Sequence, residues 1–165
     1  MPVRLVDTGT ASFGITCCVW EAAEALREGA DAEAAAAVAE QTAARVGNVF
    51  VVRALDLARR GGRVAVSGHE GGGIPVLTLA GGAVEVVATV DSVDDAAQAM
   101  ADYVVAAGDG LRVAVGYADA DAAPVSDALR RLVAADHRVL EVVTYRIGPS
   151  VGVHTGPGTA GAFFF

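Results

Sequence analysis

Residues 75–90, PVLTLAGGAVEVVATV, contain two apolar, valine-rich runs on either side of the pair Gly81-Gly82. Two such runs separated by two glycines are typical of a β-hairpin, because glycine readily adopts the positive φ angles that a tight turn requires. We therefore predict antiparallel strands over 75–79 and 84–90. Three or more strands are needed for a stable sheet, so the rest of the chain must supply further strands and the helices that cover them.

Periodicity and capping residues predict these further elements. We predict strands over 3–6, 48–52, 112–117, 139–145 and 159–165, and helices over 14–28, 31–46, 54–60, 92–107 and 122–135. Six strands follow Gly47 and one precedes it, and a lone strand cannot satisfy its own backbone groups. The fold class is α/β or α+β, with a two-layer, mainly antiparallel six-stranded sheet that carries helices on one face.

The first predicted helix is apolar on more than one side. One of its faces is formed by Ile15, Val19, Ala22, Ala23 and Leu26. Because Cys17, Cys18 and Trp20 lie on other faces, we expect burial on more than one side and a second packing partner for Trp20. The two adjacent cysteines do not easily meet disulfide geometry and no second pair completes a metal site, so we expect neither.

Composition excludes several classes of protein. The 165 residues are 53% hydrophobic and 19% charged, which is enough apolar content for a core. The net charge is −8, and all 12 basic residues are arginine. An acidic surface disfavours nucleic-acid binding. Neither a membrane-spanning run nor a signal peptide is visible, so we expect a cytoplasmic protein without stable membrane insertion.

The segment HTGPGT, residues 154–159, is the first candidate ligand site. Gly156 and Gly158 open unusual backbone conformations around Pro157, so that backbone N–H groups, together with Thr155 and His154, can point at an anion. The alternative is a tight corner before the last strand, and composition alone favours that interpretation.

Two other segments are candidates. In RRGGR, residues 59–63, the turn at Gly61-Gly62 places Arg63, whose guanidinium can offer two parallel donors to an anion, although a solvated arginine is the simpler alternative. In DTGTASFG, residues 7–14, polar groups such as Ser12 precede a helix, where α/β proteins bind ligands, or they only turn and cap the chain. No Ser-His-Asp or Cys-His arrangement is supported by the spacing.

Taken in order, three stretches resemble the DegV family. They are VDTGTASFGITCCVWEAAEALREGAD, NVFVVRALDLARRGGRV and VGVHTGPGTAGAFFF. The resemblance implies two α/β domains with a fatty acid held between them. It implies a non-catalytic, lipid-binding subunit of bacterial fatty acid kinase, which presents the acyl carboxylate to a separate ATP-binding subunit and needs no cofactor. Residues 1–46 would then be the end of a parallel-sheet first domain, and 47–165 the second domain.

The resemblance also implies site residues. Arg63 and His154 match family positions near the fatty acid headgroup, where the kinase subunit is met, and Ser12 and Thr155 match polar positions beside them. The loop-forming residues are Gly61, Gly62, Gly156, Pro157 and Gly158. The family's Thr-Ser-Gln-Pro and Leu-Ser-Gly-Thr segments, which grip the carboxylate, are not in this sequence, and Ile74 stands where the family has a lysine.

Two other functions remain open. The first is an interaction protein, in which the unpaired first strand and the helix of Trp20 dock on a copy of the chain or on a complementing N-terminal chain. Under this hypothesis or the lipid-binding one we expect an oligomer. The other is an enzyme or phosphate binder that uses HTGPGT as an anion loop, which ranks last because no general base or nucleophile pair is evident.

Overall fold

A computed structural model describes residues 3–52 and 72–165. The predicted helix over 54–60 and the segment around Arg63 lie outside the described residues. The helices are α1 (Phe13–Arg27), α2 (Ala32–Ala43), α3 (Val93–Val105), α4 (Ala123–Ala134, after a 3₁₀ turn over Ala120–Ala122) and α5 (Pro149–Thr155). The strands are β1 (Gly47–Val51), β2 (Ile74–Ala80), β3 (Ala83–Val90), β4 (Leu111–Tyr117), β5 (Val139–Arg146) and β6 (Ala160–Phe164).

The six described strands form one mixed sheet in the order β3-β2-β1-β6-β4-β5. The pair β4–β5 is parallel, and the other neighbouring pairs are antiparallel. Gly81 and Gly82 both have positive φ in the turn of the β2–β3 hairpin. The predicted hairpin and the predicted six-stranded, mainly antiparallel sheet are confirmed.

The core lies between the sheet and the helices α3 and α4. Residues Val49, Val113 and Val115 of the central strands are fully or almost fully buried, together with Met100 of α3 and Leu129 of α4. Helix α3 begins where the sequence predicts it, because Ser92 caps its N-terminus: the Ser92 side chain accepts a hydrogen bond from a backbone N–H of the first turn. These contacts place α3 and α4 on one face of the sheet and leave the other face for the remaining elements.

Helix α1 packs against the other face of the sheet, over β6. The Trp20 ring meets the Phe165 ring edge-on, with 6.2 Å between the centroids. The Arg112 guanidinium lies 5.3 Å from the Trp20 ring centroid and pairs with the Glu21 carboxylate. The second packing partner that the sequence requires for Trp20 is therefore Phe165 of the same chain.

Two expectations for the N-terminal segment are wrong. Residues 3–6 form no strand, and Leu5 is 90% exposed, because no described strand lies beside this segment to complete a ladder. In α1, the face with Ile15, Val19 and Leu26 is exposed, while Gly14, Cys17 and Cys18 are buried. The sheet instead receives a face that includes Phe13, Cys17 and Trp20, because the rings of Phe13 and Trp20 pack against aromatic rings of the residues beneath them.

Helix α5 is not among the helices predicted from the sequence, and it includes His154 and Thr155 of the segment 154–159 predicted as a loop or corner. Gly152 and the β-branched Val151 and Val153 have low helix propensity. The helix nevertheless begins with Pro149 in its first turn and ends at Gly156, whose φ is +78°. The division of the chain into domains at residue 47 stays a prediction.

Candidate functional site

A cavity of about 730 Å³ lies on the face of the sheet opposite α3 and α4. The cavity is lined by residues from the segment before α1, from the strands β1, β2, β3 and β6, from the end of β5 and from the helix α5. The apolar side chains among that lining include Phe50, Leu77, Leu79, Val84, Tyr145, Ile147, Val151 and Phe163. The polar side chains include Thr10, Ser12, Asn48, Ser150, His154, Thr155 and Thr159. A mostly apolar cavity with a few polar groups is typical of a small-molecule site.

One row of paired residues crosses the sheet beneath this cavity. Phe50 pairs with Gly161, Gly161 with Gly116, and Gly116 with Tyr145. A Cβ atom on Gly116 would lie 2.2 Å from Cζ of Tyr145, so the absence of a side chain lets the Tyr145 ring lie across β4. A Cβ atom on Gly161 would lie 2.3 Å from the Val49 carbonyl oxygen. Both positions therefore require glycine.

An aromatic cluster borders the cavity on the side of β5. The Tyr145 ring centroid lies 4.6 Å from that of Phe13 and 6.5 Å from that of Phe163. Burial raises the pKa of Tyr145 to about 12, although a hydrogen bond with the Ser12 side chain acts in the opposite direction. The phenol is therefore neutral near pH 7 and keeps its hydrogen as a donor.

The polar residues of the cavity differ in how far they are already engaged. The Asn48 amide both donates to and accepts from the backbone of Leu79, and the Thr155 hydroxyl donates to the Val151 carbonyl. Ser12 has a φ of 55° and its side chain makes no capping bond to α1. His154 is exposed in the last turn of α5. An imidazole at this position can donate an N–H to an anionic group in the cavity.

The loop over 156–159 uses several of its donors within the protein. The Gly156 N–H donates to the Gly152 carbonyl at 2.8 Å, and the Thr159 hydroxyl donates to the Gly156 carbonyl at 2.8 Å. The Gly158 N–H donates to Oδ2 of Asp119 at 2.9 Å. This hydrogen bond lowers the pKa of Asp119, so a carboxylate of the protein already sits where an anion loop would hold its ligand.

Three of the residues named from the sequence, Ser12, His154 and Thr155, line the same cavity. Gly156, Pro157 and Gly158 form the turn that follows α5, whereas Gly61, Gly62 and Arg63 lie outside the described residues. Sequence reasoning missed Tyr145 and Asp119. An isolated glycine inside the strand 111–117 was the available signal for Tyr145, since glycine in a strand often marks the close approach of another group.

The described residues contain no helix that is long and apolar enough to cross a membrane. Within the same part of the chain, no group of three or more potential metal ligands comes together.

Comparison with known proteins gives the family. A family model described as "Uncharacterised protein, DegV family" matches residues 1–165. The chain belongs to the DegV family. A DegV domain-containing protein from Streptomyces coelicolor is 34% identical over 98% of this chain and 59% of its own length. The chain thus spans about 60% of the length of the curated DegV relatives that it matches.

Solved DegV structures match the fold. A fatty-acid-binding DegV family protein from Thermus thermophilus has a TM-score of 0.86 and 32% identity, and the match covers 98% of this chain and 60% of that one. A DegV lipid-binding protein from Thermotoga maritima has a TM-score of 0.85 and 25% identity, and the match covers 99% of this chain and 59% of that one.

Proposed function

We propose that this DegV protein binds a fatty acid in the cavity between β1, β2, β6 and α5. The observation that carries the proposal is an apolar cavity of about 730 Å³ with His154 and Ser12 among its lining, in a chain similar to a fatty-acid-binding DegV protein. Burial of a long acyl chain is favourable because each methylene removed from water contributes about 0.8 kcal/mol. A few polar groups then suffice to orient the ligand.

The carboxylate is proposed to lie at the α5 end of the cavity. In this proposal His154 donates to the carboxylate, Ser12 and Thr155 of the same cavity lining assist it, and Arg63 is expected to join them. A hydrogen bond to an ionised carboxylate is stronger than one between two neutral groups, which favours this end of the cavity for the charged group. Asp119 lies behind the loop and does not line the cavity.

The protein is proposed to be a non-catalytic subunit that presents the acyl carboxylate to a separate kinase subunit. The support is the family relationship and the exposure of His154, which leaves one side of the imidazole accessible to a partner. In this proposal the kinase subunit supplies the phosphoryl transfer, and the DegV protein binds and orients the acid without a cofactor.

Native mass spectrometry after incubation with oleate tests fatty acid binding directly. Val151 lines the cavity, whereas Val153 of the same helix is 69% exposed and does not. Val151→Trp is expected to abolish the oleate-bound species because the indole fills part of the cavity, and Val153→Trp is expected to leave it unchanged. Absence of any oleate-bound species for the unmodified protein refutes the proposal.

A second pair of variants tests the headgroup assignment. His154→Ala is expected to weaken oleate binding about tenfold, the loss of one hydrogen bond to a charged group. His137→Ala is the matched control, because His137 is exposed and lies away from the cavity. Equal affinities for oleate in the two variants would remove His154 from the headgroup site.

The exposed face of α1 favours a second function, a docking surface for another chain. Ile15, Val19 and Leu26 form an apolar stripe, and Leu5 is exposed near the start of the chain. Apolar stripes of this kind mark interaction sites in soluble proteins. We infer that this surface supports an oligomer or binds a complementing N-terminal chain. Multi-angle light scattering of the protein and of Val19→Glu tests it, and a monomer in both cases contradicts self-association.

A further inference from the structure

Asp119 lies outside the cavity but is bonded to the loop that carries its α5 wall. Oδ2 of Asp119 accepts the Gly158 N–H at 2.9 Å, 39 residues away in sequence, and Oδ1 accepts the Ala122 N–H at 3.1 Å. One carboxylate therefore joins the segment after β4, the 3₁₀ turn that precedes α4 and the loop between α5 and β6.

The loop has few other means of fixing its tip. Pro157 has no N–H group, and Gly156 and Gly158 have φ angles of +78° and +75°, which glycine adopts at little cost. The Gly156 N–H and the Thr159 hydroxyl donate to carbonyls of α5 or of the loop itself. Within the described residues, the hydrogen bond from the Gly158 N–H to Asp119 therefore ties the tip of the loop to a charged side chain in the segment that follows β4.

The surroundings keep this carboxylate in place. Arg146 of β5 donates to the Ala118 carbonyl at 2.9 Å and lies over the Tyr117 ring, with 4.8 Å between the guanidinium carbon and the ring centroid. Its positive charge favours the ionised form of the neighbouring Asp119. The Ala118 N–H donates to the Thr159 carbonyl at 2.9 Å, which holds the strand end against the loop.

We propose that Asp119 is a positioning residue for the ligand site, which sets the place of His154 through the Gly158 N–H. This inference rests on the proposed fatty acid function. His154 is the second residue before Gly156, and the chain continues from that loop into Gly161 and Phe163, which also line the cavity. Loss of the Gly158 hydrogen bond frees the loop and with it the last turn of α5. Ligand groups that meet His154 are affected, and the acyl wall further along β6 is not.

The test is a double-mutant cycle on binding of palmitate and of hexadecanol, the alcohol of equal chain length. Asp119→Ala is expected to weaken palmitate binding about tenfold and hexadecanol binding much less, because the carboxylate depends more on His154. In a His154→Ala background, the same substitution is expected to have almost no effect on palmitate. Asp119→Asn keeps one acceptor oxygen and is expected to restore most of the affinity. Asp127→Ala on the exposed side of α4 is the control.

Amide hydrogen exchange of Gly158 gives a readout that does not need the ligand. Asp119→Ala is expected to speed this exchange at least tenfold, and Asp127→Ala to leave it unchanged. Equal losses for palmitate and hexadecanol, or an undiminished loss in the His154→Ala background, would show that Asp119 only stabilises the fold and would overturn the inference. Palmitate binding that is unaffected by Asp119→Ala overturns this inference alone, whereas an unmodified protein that binds no palmitate overturns the proposed function as well.

Discussion

Substitution of Gly161 by alanine tests the packing beneath the cavity. The added Cβ would lie 2.3 Å from the Val49 carbonyl oxygen and 2.6 Å from Cβ of Phe50. Both contacts belong to the neighbouring strand β1, so relief requires β1 and β6 to move apart rather than a side chain to rotate. Overpacking costs about 1–3 kcal/mol, and we expect the upper end of this range because the contact is with backbone.

The destabilisation expected for Gly161→Ala can be converted into a change in melting temperature. For a chain of this length, 1 kcal/mol shifts the melting temperature by about 2–4 °C, so Gly161→Ala is expected to lower it by about 6–12 °C. Gly152→Ala in α5 is the matched control, since a Cβ atom there meets nothing within 4 Å outside its own helix. It is expected to raise the melting temperature by about 1–4 °C, because alanine is favoured over glycine in helices by up to about 1 kcal/mol.

Substitution of Gly116 tests a clash with a side chain, in contrast to the backbone clash expected at Gly161. Its added Cβ would lie 2.2 Å from Cζ of Tyr145, which is a side-chain atom. Gly116→Ala is therefore expected to destabilise the native protein but to cost less than about 0.5 kcal/mol in a Tyr145→Ala background. Scanning calorimetry of the four proteins measures this coupling. An unchanged melting temperature for Gly161→Ala, or an equal cost of Gly116→Ala in both backgrounds, would refute the described register and the position of the Tyr145 ring.

Three further predictions concern other parts of the molecule. Arg112→Met is expected to lower the free energy of unfolding by roughly 1.5–3 kcal/mol because Glu21 loses its partner, and urea denaturation measures this change. Because Arg112 also lies over the Trp20 ring, its loss is expected to loosen α1 and to shift the Trp20 emission maximum to the red. The hydrogen bonds from Arg138 hold the pKa of Asp136 well below its usual range, and those from Gly158 and Ala122 lower the pKa of Asp119. Since the carboxyl group of an unfolded Asp has a pKa near 4, the stability that these two ionised carboxylates give the folded protein is present at neutral pH and is lost as the pH falls below about 4. Between about pH 7 and pH 2.5, the urea midpoint of unfolding should therefore fall less for Asp136→Asn than for the unmodified protein. Burial raises the pKa of Cys17 to about 12, so neither buried cysteine is expected to react with iodoacetamide in the native protein at pH 8, whereas both react in urea, as counted by mass spectrometry.

Periodicity identified the helix α1 but not the face that it buries. Ile15, Val19 and Leu26 share a face, and spacing alone favours burial of that face. In the structure, a Cβ atom on Gly14 would lie 3.0 Å from Cε1 of Phe163, so α1 approaches the sheet as closely as its smallest residue allows. The choice of face depends on the shape of the sheet beneath the helix, which is not encoded in the sequence of α1.

The candidate site shows the same division between local and tertiary information. Gly156 and Gly158 indicate a turn from their residue type alone, and both have positive φ. The bond from Gly158 to Asp119 joins residues that are 39 apart in sequence, and it depends on the order of strands β4 and β6 in the sheet. Sequence spacing cannot give such a pairing before the strand order is known.

The alternation of residues along β6 explains why the two faces of the sheet differ. Ala160, Ala162 and Phe164 belong to the core formed with α3 and α4. Gly161 and Phe163 line the cavity on the opposite face, and Ala162 is also among its lining residues. Successive side chains of a strand point to opposite faces, so a slip of one residue in the β6 register would turn both Gly161 and Phe163 toward the core beneath α3 and α4. The fixed pairing of Gly161 with both Phe50 and Gly116 prevents such a slip, since a larger residue does not fit at this position. The residue that secures the register of β6 is therefore also one of those that line the cavity above the sheet.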